Sequence, residues 1–179
     1  MDKPIVPHEI RKIYEGRIFS VAVETVTLPS GHRLDVDVVR HPGSVVILPM
    51  TADGDVMLVR QYRHAIGRWV WELPAGSLKR GEDPETAAIR ECHEEVGLIP
   101  TRMKRLGNFF PTPGYCDEEM FFYEATDLRE PGADDEAHPD EDEDIEPKAF
   151  ALDELHRMIE SGEIVDLKTA AGVSLVGRT

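Results

Sequence analysis

A chain of 179 residues has room for one domain of ordinary size, and its 41% hydrophobic content is that of a globular protein rather than a membrane or disordered one. The formal net charge of −15 argues against nonspecific nucleic-acid binding, and no apolar run of about 18 residues offers a membrane span. The opening residues MDKPIVPHEIRK lack a signal-peptide core, and Cys92 and Cys116 form no metal motif and give no sign of an oxidising compartment, so a cytoplasmic protein is expected.

The first third reads as a β-meander. RIFSVAVETVTL alternates roughly and ends at the turn PSGH, with RLDVDVVRH as its return strand. SVVILPM and DVMLVRQYR flank the turn signal TADGD, which predicts a central hairpin. RWVWELPAG is a further strand; Trp69 and Trp71 alternate along it and are expected in core or subunit packing, as Phe19 is expected in the core. Asp83 as N-cap, Pro84 at the first helical position, Glu85 in the first turn and Gly97 at the left-handed end mark a helix over 84–96. RMKRLGNFF and EEMFFYEAT are two more strands around PTPGYC. Residues 133–146, ADDEAHPDEDEDIE, carry nine acids and no Lys or Arg, and their first half reads as a disordered acidic loop. A short strand, PKAFAL, follows. Asp153 is expected to cap a helix ended by Gly162, and a last helix is expected over 166–176 although Gly172 weakens it. This order predicts an α/β fold, a mixed sheet sandwiched by helices.

On the 84–96 helix, at ~100° per residue, Ala88, Ile89, Cys92 and Val96 share an arc expected to face the core. Glu91, Glu94 and Glu95 lie on another arc. Like charges one turn apart repel mildly, and a divalent cation removes that repulsion. Ligands that are all oxygen suit Mg²⁺ or Mn²⁺ better than zinc.

The whole stretch Gly76–Leu98, GSLKRGEDPETAAIRECHEEVGL, fits the pattern G-x5-E-x7-R-E-U-x-E-E-x-G-U at every fixed position. Cys92 fills the first apolar slot U as a small hydrophobe. The pattern resembles the Nudix box, and the resemblance implies a Nudix-type α/β/α sandwich with the box as loop–helix–loop. It would occupy residues 43–179, preceded by an N-terminal antiparallel β-subdomain over 1–42.

YEGRIF, VRQYRHAIGRWVWELPAG and SGEIVDLKT look like the ADP-ribose pyrophosphatase branch of that family. There the N-terminal subdomain commonly mediates dimerisation and reaches the partner's active site, which implies a homodimer. The implied activity is Mg²⁺-dependent hydrolysis of a nucleoside diphosphate sugar, ADP-ribose giving AMP and ribose 5-phosphate. GDP-mannose or ADP-glucose are the alternative sugars, and a noncatalytic sensor is disfavoured by the intact carboxylates.

The resemblance also implies roles. Glu91, Glu94, Glu95 and the Ala75 carbonyl would hold two or three Mg²⁺ (or Mn²⁺) ions, with Glu143 joining when the acidic loop closes. Glu141 would be the general base. Arg90 would orient the carboxylates, supported by Glu82. Arg63 would meet the diphosphate or terminal ribose, and Arg17 and Ile18 the adenosine side. Pro113, sixteen residues after Gly97 and flanked by Thr112 and Gly114, stands at an offset associated with ADP-ribose specificity. Lys79 departs from the acidic residue common in relatives, and VAVETVTL lacks the arginine that some use to grip adenine.

Overall fold

The computed structural model describes residues 4–135 and 145–176. In chain order the strands are β1 (Glu9–Glu15), β2 (Ser20–Thr27), β3 (Arg33–Arg40), β4 (Ser44–Pro49), β5 (Val56–Arg63), β6 (Arg68–Glu72), β7 (Ala75–Ser77), β8 (Ile99–Phe109), β9 (Met120–Arg129) and β10 (Glu146–Phe150). The helices are α1 (Pro84–Val96), α2 (Leu152–Ser161) and α3 (Leu167–Leu175).

The strands form three sheets. β1-β2-β3 is an antiparallel meander, and β10-β5-β6 is antiparallel. The order β7-β4-β9-β8 is mixed, because β4 runs parallel to β9 and the other pairs are antiparallel. β4 is buried at all six positions, and its two faces serve two layers. Val45 and Ile47 pack with Ala87, Ala88, Cys92 and Val96 of α1, whereas Val46 and Leu48 pack with Leu155 and Met158 of α2 and Val173 of α3. Side-chain alternation in a strand places successive residues on opposite faces. One strand therefore supplies both cores, and the expected α/β/α sandwich is present.

α1 is set by local chemistry. Asp83 accepts from the N–H groups of Glu85 and Thr86 at 3.1 Å each, and Gly97 ends the helix at φ 77°. Its buried arc differs from expectation. Ala87 and Glu95 are buried with Ala88, Cys92 and Val96, whereas Ile89 is only half-buried. The helix packs mainly on β4, β7 and β8 of the mixed sheet and also touches β5 and β10, which widens its covered arc. α2 is capped by Ala151, not Asp153, which sits in the first turn; Gly162 ends it as expected. Gly172 in the middle of α3 reflects packing, since a Cβ there would overlap the buried Leu73 side chain.

Two strand expectations fail for one reason. The TADGD turn closes, with Thr51 N–H donating to Asp55 O at 2.9 Å, yet only the Met50–Val56 bridge joins its two sides. β4 and β5 then enter different sheets, because β4 takes β7 and β9 as neighbours while β5 takes β6 and β10. RWVWELPAG is likewise two strands. It breaks at Leu73–Pro74, where the Pro74 carbonyl accepts from Ile47 N–H at 2.9 Å. β1 carries no pattern that singles it out, being exposed throughout and held by β2 alone.

Phe19 is exposed and packs on Tyr14 at 6.0 Å, so it is not in the core. Trp71 meets the core edge against Phe150 at 5.0 Å, while Trp69 stays exposed beside Tyr62 and Arg60. The first half of the acidic run, 133–139, lies partly, and Glu141 and Glu143 wholly, outside the described residues.

Candidate active site

Two cavities open side by side where β7 meets the start of the box. The smaller, about 280 Å³, is lined by Glu91, Glu94 and Glu95 together with Arg17, Arg63, Lys79 and Arg90, and by Ala75 and Gly76. The larger, about 540 Å³, shares Ile18, Arg63, Ala75, Gly76 and Ser77 with it. Ile66, Val70, Met120 and Leu167 give the larger cavity apolar walls, with His41, Ser44 and Glu118 at hand.

Arg90 organises the acidic side. Its Nε and Nη2 donate to the two oxygens of Glu82 at 2.9 and 3.1 Å, and its Nη1 donates to Glu91 and Glu94, each at 2.7 Å. A planar guanidinium suits this because its donors diverge in fixed directions. Burial pulls the Arg90 pKa down, but Glu82, Glu91 and Glu94 outweigh it, and the group stays charged well above its ordinary value. In return the hydrogen bonds from Arg90 hold Glu82 below the usual carboxylate range. Lys79 N–H donates to Glu82 at 2.9 Å, so the box loop is tied to the helix through one carboxylate.

Glu95 is buried at 8% exposure, and its Oε2 accepts from Ala75 N–H at 3.1 Å. That bond joins α1 to β7. Cys92 lies beneath, fully buried, and burial pushes its thiol up to about 12, so it is inert packing.

Gly76 is required by close approach. A Cβ built there would overlap the Glu91 carboxyl. The colliding group is the end of a flexible side chain, so Gly76→Ala is expected to cost little stability but to push Glu91 out of the cavity. A drop in kcat of about a hundredfold with Tm within about 3 °C of wild type is the expected outcome. Melting curves beside steady-state kinetics check it, and an unchanged kcat would show that the position of Glu91 does not matter.

Among the described residues no three acidic, histidine or cysteine side chains converge to hold an ion as they stand. Arg90 draws Glu91 and Glu94, and Ala75 N–H draws Glu95. The donor set nonetheless fits a hard divalent cation: three carboxylates and main-chain groups on one cavity wall, with no thiolate or imidazole among the residues lining it.

Glu91, Glu94, Glu95, Ala75, Arg90, Arg17, Ile18 and Arg63 therefore come together, each lining one or both cavities. Thr112, Pro113 and Gly114 do not. They form the turn between β8 and β9, where the Thr112 carbonyl accepts from Tyr115 and Cys116 N–H, and they line neither cavity of their own chain. That turn is docked on the N-terminal sheet instead, through Val39 N–H to Tyr115 O at 2.7 Å and the Arg40–Asp117 ion pair at 2.9 Å. Arg63 lines both cavities and is also salt-bridged, its Nε to Glu72 at 2.7 Å. Sequence reasoning missed Glu72 and Lys168. The available signal was an acid at the inward position of the strand WVWE, where alternation calls for an apolar residue.

The NUDIX domain family model matches residues 40–169. The chain belongs to the Nudix family. It is a Nudix pyrophosphohydrolase, and its likeness to the ADP-ribose pyrophosphatase branch is borne out by curated relatives. It is 34% identical over 162 residues to the ADP-ribose pyrophosphatase of Bacillus subtilis (strain 168), covering 90% of this chain and 86% of that protein. It is 39% identical over 165 residues to the ADP-ribose pyrophosphatase of Mycobacterium tuberculosis, covering 92% and 79%. A methanol dehydrogenase activator of Bacillus methanolicus is 36% identical over 162 residues, covering 90% and 86%. A crystal structure described as an ADP compounds hydrolase superposes with a TM-score of 0.78 at 21% identity, covering 97% of this Nudix chain and 92% of that one, and so shares its fold. Among the described residues no helix is long and apolar enough to cross a membrane.

Proposed function

We propose that this Nudix enzyme hydrolyses the diphosphate of a nucleoside diphosphate sugar, ADP-ribose foremost, to AMP and ribose 5-phosphate. The observation that carries the reading is the smaller cavity, where three carboxylates stand among four cations in a chain of net charge −15. Such a wall suits an anion accompanied by divalent metal. The larger cavity, half apolar and continuous with it at Arg63 and Ile18, suits the attached sugar or nucleoside. The names of the two pyrophosphatase relatives point the same way.

In this reading Glu91, Glu94, Glu95 and the Ala75 carbonyl hold two or three Mg²⁺ ions, with Mn²⁺ as a substitute. When bound, such ions offset the diphosphate charge and lower the pKa of a water. Arg63 sits at the seam of the cavities and neutralises the diphosphate, while Arg17 and Ile18 border the adenosine side. Arg90 spends its donors on Glu82, Glu91 and Glu94 and keeps the carboxylates aimed. Attack of water on one phosphorus forms a P–O bond and breaks the bridging P–O bond. Glu141 accepts the water's proton, and Glu143 joins the carboxylate set. The protein acts as a cytoplasmic homodimer through an N-terminal subdomain over 1–42 that reaches the partner's active site. Exposed Ile10, Ile13 and Tyr14 on β1 support that assembly.

The test is phosphomonoester release in MgCl₂ from ADP-ribose, ADP-glucose, GDP-mannose and a nucleoside triphosphate. A lead of about tenfold or more in kcat/KM for ADP-ribose is expected. A profile led by GDP-mannose or ADP-glucose would make this a broader nucleotide-sugar hydrolase, and one led by the triphosphate would overturn the reading.

A further inference from the structure

Beside the carboxylate wall lies a second buried charge cluster that the hydrolysis reading leaves unused. Glu72, at the end of β6, is only 2% exposed. Its Oε1 accepts from Arg63 Nε at 2.7 Å and its Oε2 from Lys168 Nζ. The Lys168 side chain is 9% exposed and also donates to Asp166 at 3.0 Å. Asp166 caps α3, accepting from Thr169 N–H at 3.0 Å and Thr169 Oγ1–H at 2.6 Å. The Thr169 hydroxyl oxygen in turn accepts from Leu73 N–H at 2.8 Å, one residue after Glu72. The first turn of α3 is thus clasped to the strand end that leads to Ala75.

Buried ion pairs are poor stabilisers, because desolvation of both charges offsets their attraction. Placement explains this one better. Arg63 ends β5 with nearly half its side chain exposed at 44%, and a long cation in that position has many rotamers. The Glu72 contact engages Nε, the guanidinium nitrogen nearest the chain, and Arg63 still lines both cavities. Lys168 occupies the other Glu72 oxygen and fixes that carboxylate in turn.

We infer that Glu72 and Lys168 are positioning residues that hold the Arg63 guanidinium at the seam between the two cavities, so that the C-terminal helix sets affinity for the diphosphate. The inference rests on the reading that Arg63 meets that diphosphate. Glu72 and Lys168 touch no reacting atom in this scheme; both border the larger cavity, and their effect on the diphosphate passes through Arg63.

The experiment compares Arg63→Ala, Glu72→Gln and the double variant, with ADP-ribose in MgCl₂, or with the best substrate of the panel. Binding of inorganic pyrophosphate without metal is measured by calorimetry alongside. Glu72→Gln is expected to raise KM and the pyrophosphate Kd about tenfold while kcat changes less than about threefold. The double variant is expected to be no worse than Arg63→Ala, since one effect runs through the other. Lys168→Met is expected to raise KM about threefold, and Lys168→Arg to recover most of that loss, which separates charge from packing if Glu72→Gln folds poorly. Normal KM and Kd in Glu72→Gln beside impaired Arg63→Ala would overturn the relay alone, as would effects that multiply in the double variant. Normal KM and Kd in Arg63→Ala would overturn both the relay and the placement of the diphosphate at Arg63.

Discussion

Glu95→Gln is expected to lower kcat by about a thousandfold in MgCl₂ while leaving Tm within about 2 °C of wild type. The substitution is nearly isosteric. Its amide oxygen still accepts from Ala75 N–H, the 3.1 Å bond that joins α1 to β7. What disappears is a negative charge on a wall that Glu91 and Glu94 also line. Because Glu95 is buried, neutralising it also removes a desolvation cost, so folding has little to lose. Activity and stability should therefore separate. Steady-state kinetics with a parallel melting curve decide the matter, and turnover within about threefold of wild type would mean that Glu95 is no metal ligand.

Arg90→Lys is expected to reduce kcat/KM about a hundredfold and to lower Tm by about 5 °C. Arg90 makes four hydrogen bonds to three carboxylates, two of them as a fork on Glu82. An ammonium is a single point and cannot grip Glu82 with both donors while reaching Glu91 and Glu94. Carboxylates that lose charged donors in a mostly buried site cost about 2 kcal/mol, and they repel one another. In contrast to Glu95→Gln, both readouts should fall together. If the lysine variant keeps kcat/KM within about threefold, the guanidinium is only a surface pair and the carboxylates aim themselves.

The box was readable in the sequence because its determinants are local. Asp83, Pro84 and Gly97 bound α1 through groups within a turn of each other, and the helical period alone puts Glu91, Glu94 and Glu95 on one arc. The link between Glu82 and Arg90 is eight residues long and also follows from that helix and its leading loop. The same short-range rules marked most strands, the C-terminal end of α2 and the extent of α3. They misplaced details wherever a partner from far away competes. The TADGD turn was correct as a turn, yet β4 and β5 separate because each finds better neighbours elsewhere in the fold. Phe19 reads as a core aromatic from composition, but nothing in the described residues covers that side of the N-terminal sheet enough to bury it.

The burial of Glu95 shows the limit most clearly. Helical phase puts it beside Ala88, at the margin of the apolar arc, and the arrival of β7 at Ala75 decides that this margin is covered. The Glu72–Lys168 pair lies beyond any local rule, its members standing 96 residues apart. Capping, periodicity and fixed spacing act within about two turns of chain, so they suffice for the family and for the helix that carries its carboxylates. Which charges are buried, which arginine is held at the seam of the two cavities, and that the Pro113 turn lies away from both, depend on distant strands and helices meeting. Sequence spacing carries no information about such meetings, because desolvation and ion pairing are decided by what finally packs around each group.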